Sequence, residues 1–429
     1  MRLYCGDATL AGRRRIPVLL VLAMAPGSVL AQPVDPVDPQ LRDDRLQPGL
    51  YPAAPIPEAF SVPVEPGHPP MEIDWSTGLR GTLTRSSAGE SFTTVLTPQA
   101  SASYDGRSTD LTLDGAADIA HPWNGNPVLS GLRLGASAVT ALDSVTTISA
   151  SGGFELTQDL VNSPDLDPSV LEAPQIVTGS LGAGLTRQFG LFSVAASADL
   201  GRVAHGSSLN AGTGWTDNSE NNYWSAGTTL RLGLQATPIF EAFAEGSAGR
   251  DMFDLASSAS GERMDANDYA LRAGISGEWN SLLSASASYG VGYRDFDASG
   301  IADVASHLYD ASVTFRPDRT TELTARLATG ITPPEVGTSG TAKVEYTAEA
   351  TAAYVVNSWL RLRAGAGWSM AELTGSTETE TGYSLSSGAD YAVNSKTAVS
   401  ADYSFRHRDN STTGQDDIHR FSLGVLLRR

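Results

Sequence analysis

The chain predicts an all-β fold, a transmembrane antiparallel up-and-down β-barrel of about eighteen strands, on three observations. Its runs alternate apolar and polar residues with period two, over lengths that cross a bilayer at a tilt. The connections between runs alternate between tight turns and longer polar loops. Composition argues against helices: 429 residues with 43 Gly, 7% aromatics and 18% charge show no heptads and, beyond the N-terminus, no apolar run long enough for a membrane helix.

In chain order, residues 1–31 read as a cleavable signal peptide. Arg13, Arg14 and Arg15 precede the apolar stretch 16–24, and Ser28, Val29, Leu30 and Ala31 supply the small residues of a cleavage site. The single cysteine, Cys5, falls inside this leader, so the mature chain is expected to have no disulfide, thiolate metal site or cysteine nucleophile. Four arginines and one aspartate leave with it, taking the net charge from −19 to −22. No basic footprint for nucleic acid is left. The acidity suits soluble loops, with divalent-cation bridging to lipopolysaccharide as the more specific use.

Residues 32–72 are expected to form a disordered periplasmic arm, since 11 of the 23 prolines fall between Gln32 and Pro70. It reads as a spacer kept unfolded during export, as a docking segment for a periplasmic export partner, or as a segment threading into the pore. From residue 73 to 429 eighteen strand-like runs follow. One set of connections is tight: Asp105-Gly106-Arg107, 141–144, Gln188-Phe189-Gly190, 235–238, Trp279-Asn280-Ser281, 317–320, Val356-Asn357-Ser358 and Asn394-Ser395-Lys396. The other set is longer and more polar: HPWNGNP, QDLVNSPDLDPSVLEAP, HGSSLNAGTGWTDNSENN, DLASSASGERM, DASGIA, PPEVGTSG, GSTE and DNSTTGQDD. Turns on one rim and loops on the other is the outer-membrane arrangement, which puts turns and both termini on the periplasmic side. Runs 73–84 and 303–316 are the least regular, and losing a hairpin there gives sixteen strands.

The parity of each run divides lipid from lumen. Val399, Ala401, Tyr403, Phe405 and His407 share one face, opposite Ser400, Asp402, Ser404, Arg406 and Arg408. Leu230, Leu232 and Leu234 oppose Arg231; Leu271, Ala273 and Ile275 oppose Arg272; Tyr289, Val291 and Tyr293 oppose Arg294. An Arg or Lys on the lipid face near the midplane costs about 2–4 kcal/mol, so charges are expected inside. The candidate pore-lining residues are Arg231, Glu241, Glu245, Arg272, Arg294, Arg326, Glu345, Glu349, Arg361, Arg363, Asp390, Asp402, Arg406 and Arg420. Their signs change from strand to strand, as a transverse field filtering solutes requires, or as a ladder of ion pairs stiffening the wall. Tyr346, Tyr354, Trp359, Trp368, Tyr383, Tyr391 and Tyr403 are placed as headgroup-level girdles, with His407 and His419 beside them.

No catalytic, cofactor or metal site is expected. None of the six histidines lies in a metal-ligand spacing or beside a nucleophile motif, and Asp165 with Asp167 and Asp295 with Asp297 lack a full calcium-loop pattern. The stretches DWSTGLRGTLTR, YTAEATAAYVVNSWLRLRAGAGW and YSLSSGADYAVNSKTAVSADYSFRHRDNSTTGQDDIHRFSLGVLLRR resemble the putative β-barrel porin type 2 family of Gram-negative outer-membrane proteins. The resemblance spans residues 73–429 and implies an outer-membrane barrel without an active site. It also implies contact with outer-membrane lipid and lipopolysaccharide and insertion by the barrel assembly machinery. Where many such barrels end in an aromatic residue, this chain ends Leu426-Leu427-Arg428-Arg429.

The function expected is passive diffusion of small hydrophilic solutes through a charge-lined lumen. The family resemblance implies one alternative, a conduit for exopolysaccharide export; a plugged structural or adhesive barrel is the other.

Overall fold

The computed structural model describes residues 71–429 except 88, 161–169, 259–260, 334–339 and 413. The expected signal peptide, and the arm up to residue 70, lie outside the described residues. Five strands open the described chain: β1 (Met71–Ser86), β2 (Gly89–Asp105), β3 (Thr109–Pro122), β4 (Val128–Ala141) and β5 (Thr146–Gln158). Next come β6 (Val170–Glu172), β7 (Gln175–Phe189), β8 (Phe192–His205), β9 (Ser208–Asn210) and β10 (Gly214–Thr216). The middle of the chain forms β11 (Tyr223–Gln235), β12 (Phe240–Phe253), β13 (Ala266–Trp279), β14 (Leu283–Phe296), β15 (Val304–Phe315) and β16 (Thr321–Thr332). Last are β17 (Ala342–Asn357), β18 (Leu360–Thr374), β19 (Thr379–Asn394), β20 (Thr397–Asn410) and β21 (Gly414–Arg428).

Eighteen of these strands make one antiparallel sheet in sequence order, and it closes on itself where β1 pairs with β21 from Ser76↔Arg428 to Arg85↔His419. Closure leaves no edge strand around the wall, so its backbone groups satisfy one another as a lipid environment demands, except where β15 and β16 part near one rim. The three short strands β6, β9 and β10 form a separate small sheet from two of the long loops. Both irregular runs are complete strands, so the count is eighteen. β1 starts at Met71 and pairs from its first residue with Tyr104, which takes the last two residues assigned to the arm into the wall.

Local chemistry sets the turns. Asn280 and Ser281 take φ of 48° and 55°, and Leu282 N–H donates to Trp279 C=O at 2.8 Å. Two left-handed central residues make the hairpin whose twist matches the strands it joins. Between β15 and β16, Asp318 accepts from Thr320 N–H at 2.7 Å and Thr321 N–H at 2.8 Å, pinning that turn. On the other rim the sizes differ from expectation at two places. β20 and β21 extend their ladder to Asn410↔Gly414, converting most of the expected DNSTTGQDD loop into wall, and β1 and β2 pair up to Ser86↔Gly89. In both cases the alternation runs on through polar residues.

The start of β1 and the end of β21 meet on the turn rim, where Arg429 N–H donates to Trp75 C=O at 3.1 Å. The outer belt is apolar: Leu79, Leu134, Leu181, Leu230, Leu271 and Leu423 are all exposed. The alternate residues turn inward.

A compact apolar cluster sits near the loop rim, formed by Phe253, Met264, Ala266, Phe296, Ile301, Val304, Ile331, Ala342 and Val344. Tyr346, expected in a headgroup girdle, packs against this cluster instead. The wall is also interrupted there. β15 and β16 pair only from Phe315↔Leu323 to Asp310↔Ala328, although β16 stays paired with β17 as far as Thr332↔Lys343.

Candidate functional site

The site is the inner wall. Alternation turns every second position of each strand inward, where polar, charged and glycine residues predominate, and tilted neighbours bring opposite charges within reach. Arg363 on β18 shows the result: its Nε donates to Asp390 Oδ2 at 2.8 Å and its Nη2 to Asp402 Oδ1 at 2.8 Å. One guanidinium thereby links three successive strands, with the planar fork geometry that distinguishes Arg from Lys.

Arg231 lies 3.2 Å from Glu241, with its guanidinium carbon 3.6 Å from the centre of the Phe243 ring. Arg272 lies 3.6 Å from Glu245. Arg294 meets Asp251 at 2.9 Å and Asp268 at 3.1 Å and is only 1% exposed, so this triad is enclosed. Glu345 lies 3.9 Å from Lys343. Arg326 and Glu349 are register partners on β16 and β17. Arg361 stands opposite Asp390 in register, yet Asp390 takes Arg363. Arg406 and Arg420 occupy β20 and β21 two residues apart in register, Arg420 opposite Ser404 and Arg406 opposite Ile418. The structure therefore brings candidates together in local pairs and in two three-residue groups, Arg363 with Asp390 and Asp402 and Arg294 with Asp251 and Asp268, spread around the wall with no single cluster.

Sequence reasoning missed several participants. Arg133 reaches Glu155 at 2.9 Å and Asp118 at 3.6 Å, and Thr97 donates to Asp118 at 2.7 Å. Asp251 and Asp268 complete the Arg294 triad, and Phe243 is an inward aromatic. Parity could have found the charged residues, because each shares a face with an inward neighbour. Phe243 could not be found that way, since an aromatic on the polar face reads as an exception until its arginine is seen. Inward glycines make room for flat carboxylates: a Cβ on Gly227 would lie 2.6 Å from Asp199 Oδ2.

Arg80, Asp118, Arg133, Arg363, Asp390 and Arg428 share a lumenal space of about 490 Å³ between the β1–β4 and β18–β21 sectors. On the other side Ile331, Thr332 and Pro333 share a cavity of about 180 Å³ with Asp199, Glu245, Asp251, Arg272 and Arg294. The end of β16 therefore reaches inside the barrel to strands β8 and β11–β14. Among the described residues, no group of three or more His, Cys, Asp or Glu is placed to hold a metal ion.

The histidines flanking the last connection face outward among aromatics. His407 stacks on Tyr383 with ring centres 4.7 Å apart, and His419 lies 4.9 Å from the Phe405 ring centre.

The family model described as putative beta-barrel porin 2 matches residues 75–429. The chain belongs to that family. As a member of this porin family, with a closed wall and an apolar outer belt, it is an outer-membrane protein with a porin-like barrel. No curated protein matches it in sequence. Among solved structures it is similar to Pseudomonas aeruginosa OpdK with vanillate, at 11% identity and a TM-score of 0.44 over 83% of this chain and 99% of that one. It is similar also to the siderophore receptor PirA of the same organism, at 9% identity and a TM-score of 0.44 over 84% and 81%. A third is P. aeruginosa OccK2 (OpdF) in complex with glucuronate, at 12% identity and a TM-score of 0.43 over 83% and 98%. At such values nothing about this porin's solute follows from them.

Proposed function

We propose that this protein is a diffusion channel for small hydrophilic solutes, with the charged inner wall as its filter. The observation that carries the reading is the Arg363–Asp390–Asp402 network bordering the lumenal space shared with Arg80, Asp118 and Arg133. Fixed charges of both signs along a water-accessible wall orient and sort ions, as charged rings do in pores. The inward candidates are assigned this pore-lining role, except Arg294, which is enclosed with Asp251 and Asp268. In this reading the turn rim and both termini face the periplasm, and the polar loops face outward toward lipopolysaccharide.

Liposome swelling with solutes of graded size and charge tests the proposal. Swelling by small sugars and its loss with larger ones is expected; no swelling with any solute would sink it.

One observation favours a second reading, a lumen closed at rest. The end of β16 lies inside the barrel rather than in the wall. An exporter for polysaccharide would need such closure, with the arm or turns docking a periplasmic partner. Deleting the gene and finding polymer secretion unchanged would remove that reading while leaving the channel untouched.

A further inference from the structure

The interruption between β15 and β16 preserves the register needed to close it. Continuing the ladder beyond Asp310↔Ala328 would pair Tyr309 with Thr329, Leu308 with Gly330, His307 with Ile331 and Ser306 with Thr332. None of these pairs is formed, because the end of β16 curls inward. Thr329 is 1% exposed and Ile331 3%, and Leu308 on β15 is 1% exposed, so the end of β16 packs against the inner face of β15.

Side-chain hydroxyls stand in for the missing ladder. Tyr309 N–H donates to Thr329 Oγ1 at 3.1 Å, and the same hydroxyl donates to Tyr309 C=O at 3.0 Å. Thr329 thus offers a side chain to the two groups that its own backbone would satisfy in the extended ladder. Ser306 Oγ donates in the same way to His307 C=O at 3.0 Å. Three polar groups of the unpaired edge are thereby satisfied, which lowers the penalty of leaving it unpaired.

The sequence of β16 agrees with the extended alternative. Leu323, Ala325, Leu327, Thr329 and Ile331 continue one outward-facing series, yet the last two are buried. Two arrangements therefore compete: the inward one gains the apolar cluster around Ile331, and the outward one gains four ladder pairs. Two discrete packings open to the same residues are the requirement for a switch.

We infer that the last turn-distal residues of β16, Ala328–Thr332, form a gate that closes the lumen when curled inward and opens it when they zip onto β15. This rests on the channel reading above. Zipping withdraws Ile331 and Thr332 from the space they share with Asp199, Glu245 and Arg272.

The test uses the full chain with Cys5→Ser, carrying Ser306→Cys and Thr332→Cys. Tyr309 faces β16, since its N–H and C=O both meet Thr329, so Ser306 and Thr332 fall at a non-hydrogen-bonded pair in the zipped ladder. Their Cα atoms would then be about 4.5 Å apart, within disulfide reach. Disulfide formation is read by mass, and current is read in planar bilayers before and after reduction. The expected result is a bond that forms in the folded barrel, raises current, and releases it on reduction. A second variant, Thr329→Val, removes both surrogate hydrogen bonds and is expected to raise the open fraction roughly tenfold. A conducting barrel in which neither the bond nor Thr329→Val alters current overturns the gate. A bond that forms in a barrel silent in every state overturns the channel reading instead, and with it the gating role, while leaving the two-packing wall in place.

Discussion

Arg294 shows how much one side chain depends on distant chain. It lies between Asp251 and Asp268 and is enclosed where the end of β16 reaches into the same cavity. Arg294→Met leaves two carboxylates buried without their guanidinium, an expected loss of about 3–5 kcal/mol in urea unfolding. Combining Arg294→Met with Asp251→Asn and Asp268→Asn should restore most of that loss. Arg363 is more open and governs selectivity. Arg363→Ala exposes Asp390 and Asp402 to the lumen, and reversal potentials in a salt gradient are expected to move toward cation preference. Arg294 and Arg363 were legible in the sequence because parity alone turns them inward. Which carboxylate each would choose was not: Asp390 stands opposite Arg361 in register and still bonds Arg363. That choice depends on strand tilt and rotamer, which period two does not encode.

Turns and strands tell a similar story at the scale of elements. Ser281 holds φ of 55° in the β13–β14 turn, a conformation that costs L-residues about 1–2 kcal/mol and glycine almost nothing. Ser281→Gly is expected to raise the thermal midpoint for loss of the barrel. In the β15–β16 turn the Thr320 hydroxyl, then the Thr320 amide, hold the Asp318 carboxyl below its usual 3.8, with Thr321 adding to them. A depressed folded pKa stabilises above the unfolded value and loses that contribution as pH falls through the folded one. Midpoints measured from pH 7 downward should therefore drop more steeply in the parent than in Asp318→Ala below about pH 4. The turn positions themselves were readable, since Asn-Ser and Pro-Asp punctuate regular alternation. The irregularity of 303–316 was also visible, and the structure explains it: Val304, Ser306 and Leu308 face inward onto β16 instead of water. No local pattern announces that one strand will pack behind another.

For the molecule as a whole, the strand number, the sorting of turns from loops and the two faces all follow from alternation. Lipid outside and water inside impose the same two-residue period on every strand, so each run repeats the message. Where alternation continued through polar residues, as into β21, it lengthened the wall beyond the expected loop. The outer belt can be tested with one charge. Leu271→Arg near the middle of β13 is expected to cost about 2–4 kcal/mol in refolding into bilayers, whereas Ser276→Arg on the inward face should cost far less. The interior arrangement was less legible because it depends on non-local packing: the cluster around Phe296 and the inward end of β16 join residues from β12 to β17.

Ion current through single refolded barrels in a planar bilayer tests the central claim most directly. Discrete, reproducible conductance steps, with a reversal potential that shifts when Arg363 is replaced, are the expected result. A barrel that inserts stably and carries no current, both as the parent and with Thr329→Val, would contradict it.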